Sequence, residues 1–429
     1  MADVQTQFST ISTDAPNVWI AERMYQLAER RLQVGQWAQK YTLPQRMSKT
    51  MRVVRYRRLT LPRNTLTEGV SPDAVALAID NVDVTVEQWG IVVLITDVGL
   101  ITTKHSALSA ALTRTALAMA EVLEREMCVM LLGGTNVYYG GTARTARTQL
   151  AAGDNINTDL VLQGTTFLRA KGAPDWETGL YGGVMPPQAE AQIVKSDITF
   201  QNAMSYANVK VLQYAEIGVW GAVRWTRGNF LPIFRGEAAP DGAAITATKA
   251  RIVAGTAGAL ATGNYQVAVV ARETNSYYER RISQNSANLA VTGPTGSIAV
   301  TLPSNTGYVY DIYMSDVGTT SAKLISTANA ASAVSTITAQ STVTTTPPAA
   351  PASGVEIFVA WVFGQDAFGR VELSGMSLQS YITPPGASFS NPLAQGRKIG
   401  SKIMWKSFIQ EQDFFTRLEF TSSFSAYLA

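Results

Sequence analysis

Residues 106–139 read SALSAALTRTALAMAEVLEREMCVMLLGGTNVYY, and this stretch frames the reading of the whole chain. Alanine and leucine dominate it, and no proline or glycine interrupts it before Gly133-Gly134. It therefore predicts one long helix over about 106–132, closed by glycine where a helix usually stops. A shorter helix is predicted over Thr158 to Lys171, and an amphipathic one over Asn17 to Gln39, where Trp19, Met24, Leu27, Leu32 and Trp37 sit among charges. Strand signals surround these helices. Arg52 to Leu61 is rich in Val, Tyr and Arg and ends at Pro62, and Ile91 to Asp97 and Val355 to Phe363 are apolar runs. Near the end, Thr416, Leu418 and Phe420 alternate with Arg417, Glu419 and Thr421, the pattern of a half-buried strand. Helices and strands that do not alternate regularly argue for an α+β fold.

A second core announces itself by composition. Residues 240–350 contain 29 Ser or Thr and 11 charged residues, but no Trp and no Phe, although the chain has 8 Trp and 14 Phe. Tyr265, Val267, Val269 and Ala271 alternate as a strand, as do Ile298, Val300 and Leu302, and then Tyr308, Tyr310, Ile312 and Met314. Several short strands in about 100 residues fit an all-β sandwich of immunoglobulin type. Gly236 to Gly242 and Pro347 to Pro351 read as linkers, so 246–346 is expected to be a module inserted into a loop of its host.

The residues for common chemistries are scarce. One cysteine, Cys128, excludes an intrachain disulfide and a Cys-based zinc site, and one histidine, His105, excludes His-rich metal clusters. Twenty-three residues separate them, roughly 34 Å along a helix, so they do not form a dyad. Cys128 stands between Met127 and Val129 and reads as a small core hydrophobe. No Gly-Lys pair occurs, so there is no Walker-type phosphate loop, and no Gly-x-Ser-x-Gly elbow or Asp-rich calcium loop is present. Glu121 and Arg125 at i, i+4 fit a solvated helix face. The sequence offers a hydrolase no positive support and implies no enzyme, metal or cofactor. It has neither a secretory signal nor an apolar run of about 20 residues, which predicts a soluble protein made in the cytoplasm.

Charge is unevenly placed. Between Glu29 and Glu68 there is no acidic residue, while Arg30, Arg31, Lys40, Arg46, Lys49, Arg52, Arg55, Arg57, Arg58 and Arg63 are basic. This stretch carries +10 against a total of +3, which leaves the rest at −7. A basic arm beside a mildly acidic body suits either phosphate binding or the acidic face of another copy of the chain.

An ordered set of pieces carries a resemblance. Thr65-Leu66-Thr67-Glu68-Gly69 follows the basic arm. Then come the strand Ile91 to Asp97, the long helix with Leu123-Glu124-Arg125-Glu126, and Gly133 to Tyr139. Later stand Gly221-Ala222-Val223-Arg224-Trp225, Phe363-Gly364-Gln365-Asp366-Ala367-Phe368-Gly369 and Asn391-Pro392-Leu393-Ala394-Gln395. Over 21–235 and 355–423 the chain resembles tailed-bacteriophage major capsid proteins of the Hong Kong 97 type, in a branch of podophages similar to coliphage N-four. It departs from them at Gly400-Ser401-Lys402, which lacks an aromatic between Gly and Lys.

That resemblance implies an N-terminal arm over 1–50 and an extended loop over 51–90. A capsid core follows over 91–240 and 352–429, with a spine helix at about 106–132 and peripheral and axial domains. The immunoglobulin-like insertion occupies 246–346. It implies self-assembly through pentameric and hexameric capsomers into an icosahedral shell around double-stranded DNA, which the shell contacts weakly. Separate scaffolding and portal proteins, and a decoration protein, are the further partners; no membrane is involved, and the location is the virion. The contact residues between subunits would be Arg46, Lys49, Arg52, Arg55, Arg57, Arg58, Arg63 and Glu68. Two rival readings stay open. One is a nucleic-acid-binding protein using the basic arm, with salt-sensitive affinity. The other is a tail or fibre protein whose sandwich binds a glycan through Tyr277 and Tyr278.

Overall fold

The computed structural model describes residues 33–46, 48–56, 59, 65, 68, 75–96, 107–177, 179–196, 218–273, 279–374, 379–383 and 396–424. They form two compact units. The first holds Ala38–Met130 and Asp366–Glu411; the second holds Leu131–Gln365, the described residues from 412 on, and residues 33–37.

The first unit is built on the long strand Gly396–Ile409. Glu87–Thr96 pairs with it antiparallel, and so do Gln379–Thr383 and Phe368–Leu373; Gln39–Leu43 adds in parallel to Phe368–Leu373. Along the long strand, buried Ile399, Ser401, Ile403 and Trp405 alternate with partly exposed residues, so one face looks inward. The helix α1, Ala107–Leu132, buries Thr115, Met119, Glu124, Met127 and Cys128. Ser401, where the resemblance lacks an aromatic, is 2% exposed, and its hydroxyl donates to Thr115 Oγ1 at 3.1 Å. A small hydroxyl thus fills the place beside the helix, and Trp405 is buried further along the strand. Thr50–Tyr56 and Ile79–Thr85 make a separate two-stranded hairpin.

The helix expected over Asn17 to Gln39 lies outside the described residues as far as 32. Beyond that the structure corrects it: Val34–Trp37 is a single 3-10 turn, and Gln39–Leu43 is a strand. Trp37 belongs to the second unit, where its ring lies against Gly182 and meets Trp176 edge-on at 5.5 Å.

The second unit centres on Glu356–Phe363, a strand whose residues from Ile357 to Phe363 are fully buried. Such a continuous apolar run is what a strand covered on both faces requires. It pairs with Phe415–Phe420 and Tyr181–Met185, and its first residues pair with Ile233–Glu237. The helix α2, Thr158–Lys171, starts where the Asn157 side chain accepts from the Leu160 N–H at 2.9 Å. It ends at Gly172, which takes the left-handed conformation with φ of 70°. The helix α3 spans Pro187–Ser196.

Phe415–Phe420 corrects the half-buried reading: all six residues are buried. Glu419 is fully buried because Arg147 grips it at 2.8 and 2.5 Å and Arg417 approaches it at 2.9 Å. The face that alternation marks as solvated carries a buried ion cluster instead.

The sequence between 246 and 346 forms its own core from Ile252, Tyr265, Val269, Ile298, Val300, Tyr310 and Ile312 among others, every member lying between 250 and 337. One layer is Arg251–Leu260, Gly296–Thr301 and Val334–Ile337; the other contains Ala322–Asn329, Tyr308–Ser315, Val267–Glu273 and Glu279–Ser283. That second layer does not stop at the border. Glu279–Ser283 pairs in parallel with Ile233–Glu237, so it is continuous with the sheet around Glu356–Phe363. Gly236 and Glu237 are therefore buried strand residues, which corrects the linker reading of Gly236 to Gly242. Arg281 binds Glu237 across this junction at 3.2 Å.

Removal of 246–346 should leave the host core standing, since the cluster around Leu160, Trp225, Phe358 and Leu418 takes no residue from it. It should also strip the partner from Ile233–Glu237 and expose a row of unpaired backbone groups. The expected product keeps a cooperative calorimetric transition yet aggregates at concentrations where the intact chain stays dispersed. A deleted chain that stays dispersed would refute the edge argument, and one with no transition would refute the independent core.

Tyr310 gives this module an alkaline limit. It is 2% exposed, and its hydroxyl donates to the Asn305 carbonyl at 3.1 Å. Burial pushes its pKa up to about 12, with Arg281 pulling the other way and Glu237 adding to the rise. An unfolded tyrosine ionises near 10, so folded and unfolded states bind the same proton below that pH. Stability should fall as pH rises from about 10 towards 12, where only the unfolded chain is deprotonated. Followed by tyrosinate absorbance, Tyr310→Phe should move the alkaline transition to higher pH; an unmoved transition would place its cause elsewhere.

Candidate functional site

Two of the five described contact residues, Arg52 and Arg55, lie on the hairpin. Its register sets Arg52 opposite Asp83, Arg55 opposite Asp80 and Thr50 opposite Thr85. Arg52 forms a bidentate pair with Asp83 at 2.7 and 2.8 Å, and the Thr50 and Thr85 hydroxyls meet at 2.8 Å. The Arg52 guanidinium holds the Asp83 carboxyl below its usual range, chiefly by hydrogen bonding. Arg55 contacts Asp80 at 3.3 Å and also pairs with Glu411. Two cations of the basic stretch are thus matched within their own chain, by carboxylates that lie past the end of that stretch and return across the hairpin.

The other contact residues behave differently. Arg46 is exposed with φ of 64°, Lys49 is exposed while its carbonyl accepts from the Val86 N–H at 3.0 Å, and Glu68 is exposed. Arg57, Arg58 and Arg63 lie outside the described residues, as do Tyr277, Tyr278 and His105. The feature that charge counting misses is apolar. Val54, Tyr56, Leu59, Val75, Leu77 and Ile79 are each at least half exposed, Tyr56 at 62% and Val75 at 64%. Large side chains left in water over one short stretch mark an interaction surface. The clue in the sequence is that Val75, Leu77 and Ile79 recur at every second position, with small alanines between, beyond Pro62.

Elsewhere the chemistry is quiet. Burial, with Glu124 adding, pushes the Cys128 thiol well above its ordinary pKa, so it is held as a neutral hydrophobe. Among the described residues no three His, Cys, Asp or Glu side chains converge as a metal site, and no helix is long and apolar enough to cross a membrane. An open groove of about 560 Å³ runs along α2, lined by Tyr138, Asp159, Leu162, Gln163, Thr166, Phe167 and Ala170. It brings one carboxylate to an apolar wall and assembles no acid–base pair.

No family model matches the chain, and no curated protein matches it in sequence. Its fold is similar to solved structures from phages. The cyanophage Pam1 capsid asymmetric unit aligns with a TM-score of 0.55 at 9% identity, covering 99% of this chain and 100% of that one. The capsid of cyanophage P-SCSP1u gives 0.52 at 12% identity, covering 94% and 92%. The acid-stable capsid of Helicobacter pylori bacteriophage KHP30 gives 0.51 at 9% identity, covering 97% and 98%. With so little identity the likeness is one of fold, and it shows that this mixed α+β chain, mostly strand, has the fold found in bacteriophage capsids.

Proposed function

We propose that this protein is the major capsid protein of a tailed phage, a structural subunit that closes into a shell around double-stranded DNA. The observation that carries the reading is the fold likeness to phage capsids over nearly the full length of both partners. The finer assignment follows the Hong Kong 97 plan. Residues 1–50 serve as the arm and 51–90 as the extended loop, α1 is the spine helix, and 246–346 is an immunoglobulin-like insertion in the core. Pentamers and hexamers would join through many modest heterologous contacts, whose repetition supplies the stability of the closed cage. The exposed apolar hairpin supports this, because such a surface is a liability in a solitary chain and an asset in a shell.

The role is structural rather than catalytic, and the location is the virion. Packaged DNA would be a weak, non-specific contact, with scaffolding, portal and decoration proteins as separate partners. The rival use of the basic stretch for tight DNA binding is weakened by Arg52 and Arg55, whose charges are matched within the chain. Sedimentation and negative-stain microscopy of the purified protein test the proposal. Closed shells or capsomer rings are expected. A chain that stays monomeric under every assembly condition, co-expressed scaffold included, would overturn it.

A further inference from the structure

The outer face of α2 reads alike from either end. Asp159, Leu162, Gln163, Thr166 and Ala170 recur at three- and four-residue spacing, so they share one stripe, and all five are exposed. Leu162 is 44% exposed, and beside it runs the open groove walled by Tyr138 and Phe167, whose rings meet edge-on at 6.1 Å. The opposite face fixes the helix to its sheet: Leu160, Val161, Gly164 and Leu168 are buried, and a β-carbon at Gly164 would lie 3.1 Å from Thr416 Oγ1. The stripe is therefore presented by a rigid element, which lowers the ordering cost of a contact. Charge is divided between the ends. Asp159 stands in the first turn, and among the described residues no cation is paired with it. Arg169 and Lys171 stand in the last turn, with the Lys171 ammonium 5.5 Å from the centre of the Phe167 ring.

We infer that this face packs antiparallel on the α2 of a second copy of the chain, about a two-fold axis between Gly164 and Thr165. Turning the helix end for end about that point sets Asp159 against the second copy's last turn, Leu162 against its Phe167 and Gln163 against its Thr166. An unmatched carboxylate thus meets cations at both ends of the contact, and each Leu162 enters the other copy's groove. A parallel alignment would bring Asp159 to Asp159 and Lys171 to Lys171. The charge order therefore selects the antiparallel one, in which the two helix dipoles also oppose each other. The occupant it fits is the chain itself, since the same face carries both halves of the match. With 14 residues at 1.5 Å each, α2 is about 21 Å long. One helix pair of that length stays below the roughly 1,000 Å² of a stable free dimer, so the pairing is weak in dilute solution. This contact goes beyond the capsid reading: it is isologous and closes at two copies, whereas the contacts around a capsomer are heterologous.

A single cysteine tests the pairing. Gln163→Cys changes an exposed residue within half a turn of the axis on each copy. Mild oxidation should give a linked dimer on a non-reducing gel, with buried Cys128 silent. Ala152→Cys, exposed but outside the stripe, should give about a tenth of that yield. In the Gln163→Cys chain, adding Asp159→Lys should cut the yield about tenfold, and adding Arg169→Glu with Lys171→Glu should then restore it. No dimer from Gln163→Cys, an equal yield from Ala152→Cys, or a yield indifferent to Asp159→Lys would overturn the pairing, and so would a charge-swapped chain that stays unlinked. The capsid reading stands or falls separately. Shells without linked dimers would overturn the pairing alone, whereas linked dimers from a chain that never closes into shells would overturn the capsid reading alone.

Discussion

Replacing Glu419 by alanine should destabilise the second unit by about 3–5 kcal/mol, because it leaves buried guanidinium groups without their counter-charge. Glu419 is fully buried, Arg147 is 8% exposed and so is Arg417. The two arginines share one carboxylate, and Arg417 also donates to the Leu132 carbonyl at 2.5 Å. Burial already pulls the Arg417 pKa below its ordinary value, which shows how poorly this place solvates a cation. The Arg147 guanidinium is held further by the Phe234 ring, 3.8 Å below it, so it has no easy route to water. In calorimetry the loss should lower the melting temperature by on the order of 10 °C. Glu419→Gln, which retains one acceptor oxygen, should fall between the parent and Glu419→Ala. The decisive comparison is the apolar triple replacement Arg147→Met, Arg417→Met and Glu419→Leu. It should be more stable than Glu419→Ala alone, since a buried ion cluster is often replaceable as a whole and rarely in part. A Glu419→Ala chain that melts with the parent would show that water reaches the cluster.

This cluster also shows where reading the sequence stops working. Both α1 and α2 are legible because their signals are local: an Ala- and Leu-rich run without breakers, an Asn cap, a glycine stop. The core of 246–346 is legible because a region without Trp or Phe must pack something else, and its tyrosines and valines alternate. The burial of Glu419 has no local signal, since its partner lies 272 positions away in the chain. Arg417 and Glu419 alternate with Leu418 as surface residues do, and only tertiary pairing makes them interior. The hairpin fails in the same way on a shorter scale. A count of charges from Glu29 to Glu68 ends before Asp80 and Asp83, yet register sets those two carboxylates opposite Arg55 and Arg52. Composition therefore marked the basic stretch but overstated its free charge. The exposure of Val54, Tyr56, Leu59, Val75, Leu77 and Ile79 has no signature in the sequence, because exposed hydrophobes look like core there.

Gly236→Ala should be nearly as damaging, at about 3 kcal/mol or more, and the reason lies in how the chain enters and leaves the 246–346 module. Gly236 is the residue over which the returning chain crosses. Its N–H donates to the Val355 carbonyl at 3.0 Å, and its own carbonyl accepts from the Gly354 N–H at 2.8 Å. On its other side it is the register partner of Ile282. A β-carbon here would sit 2.1 Å from the Ala352 carbonyl oxygen and 2.6 Å from that of Pro351. Both obstacles are backbone, so no side chain can rotate away and the crossing itself must open. Overpacking costs about 1–3 kcal/mol where side chains can adjust, and each main-chain hydrogen bond lost with it adds about 1 kcal/mol. Gly354, three positions before Ile357 on the returning chain, is the natural control. It has φ of 78° with nothing near its missing β-carbon, so alanine there costs only the left-handed conformation, about 1–2 kcal/mol. Hydrogen exchange at Gly236, Gly354 and Val355 should rise sharply in Gly236→Ala and little in Gly354→Ala. Equal effects would mean that the crossing is loose and that the module hangs from its host; unequal ones would mean that a glycine-tight neck and a shared sheet hold it in one orientation.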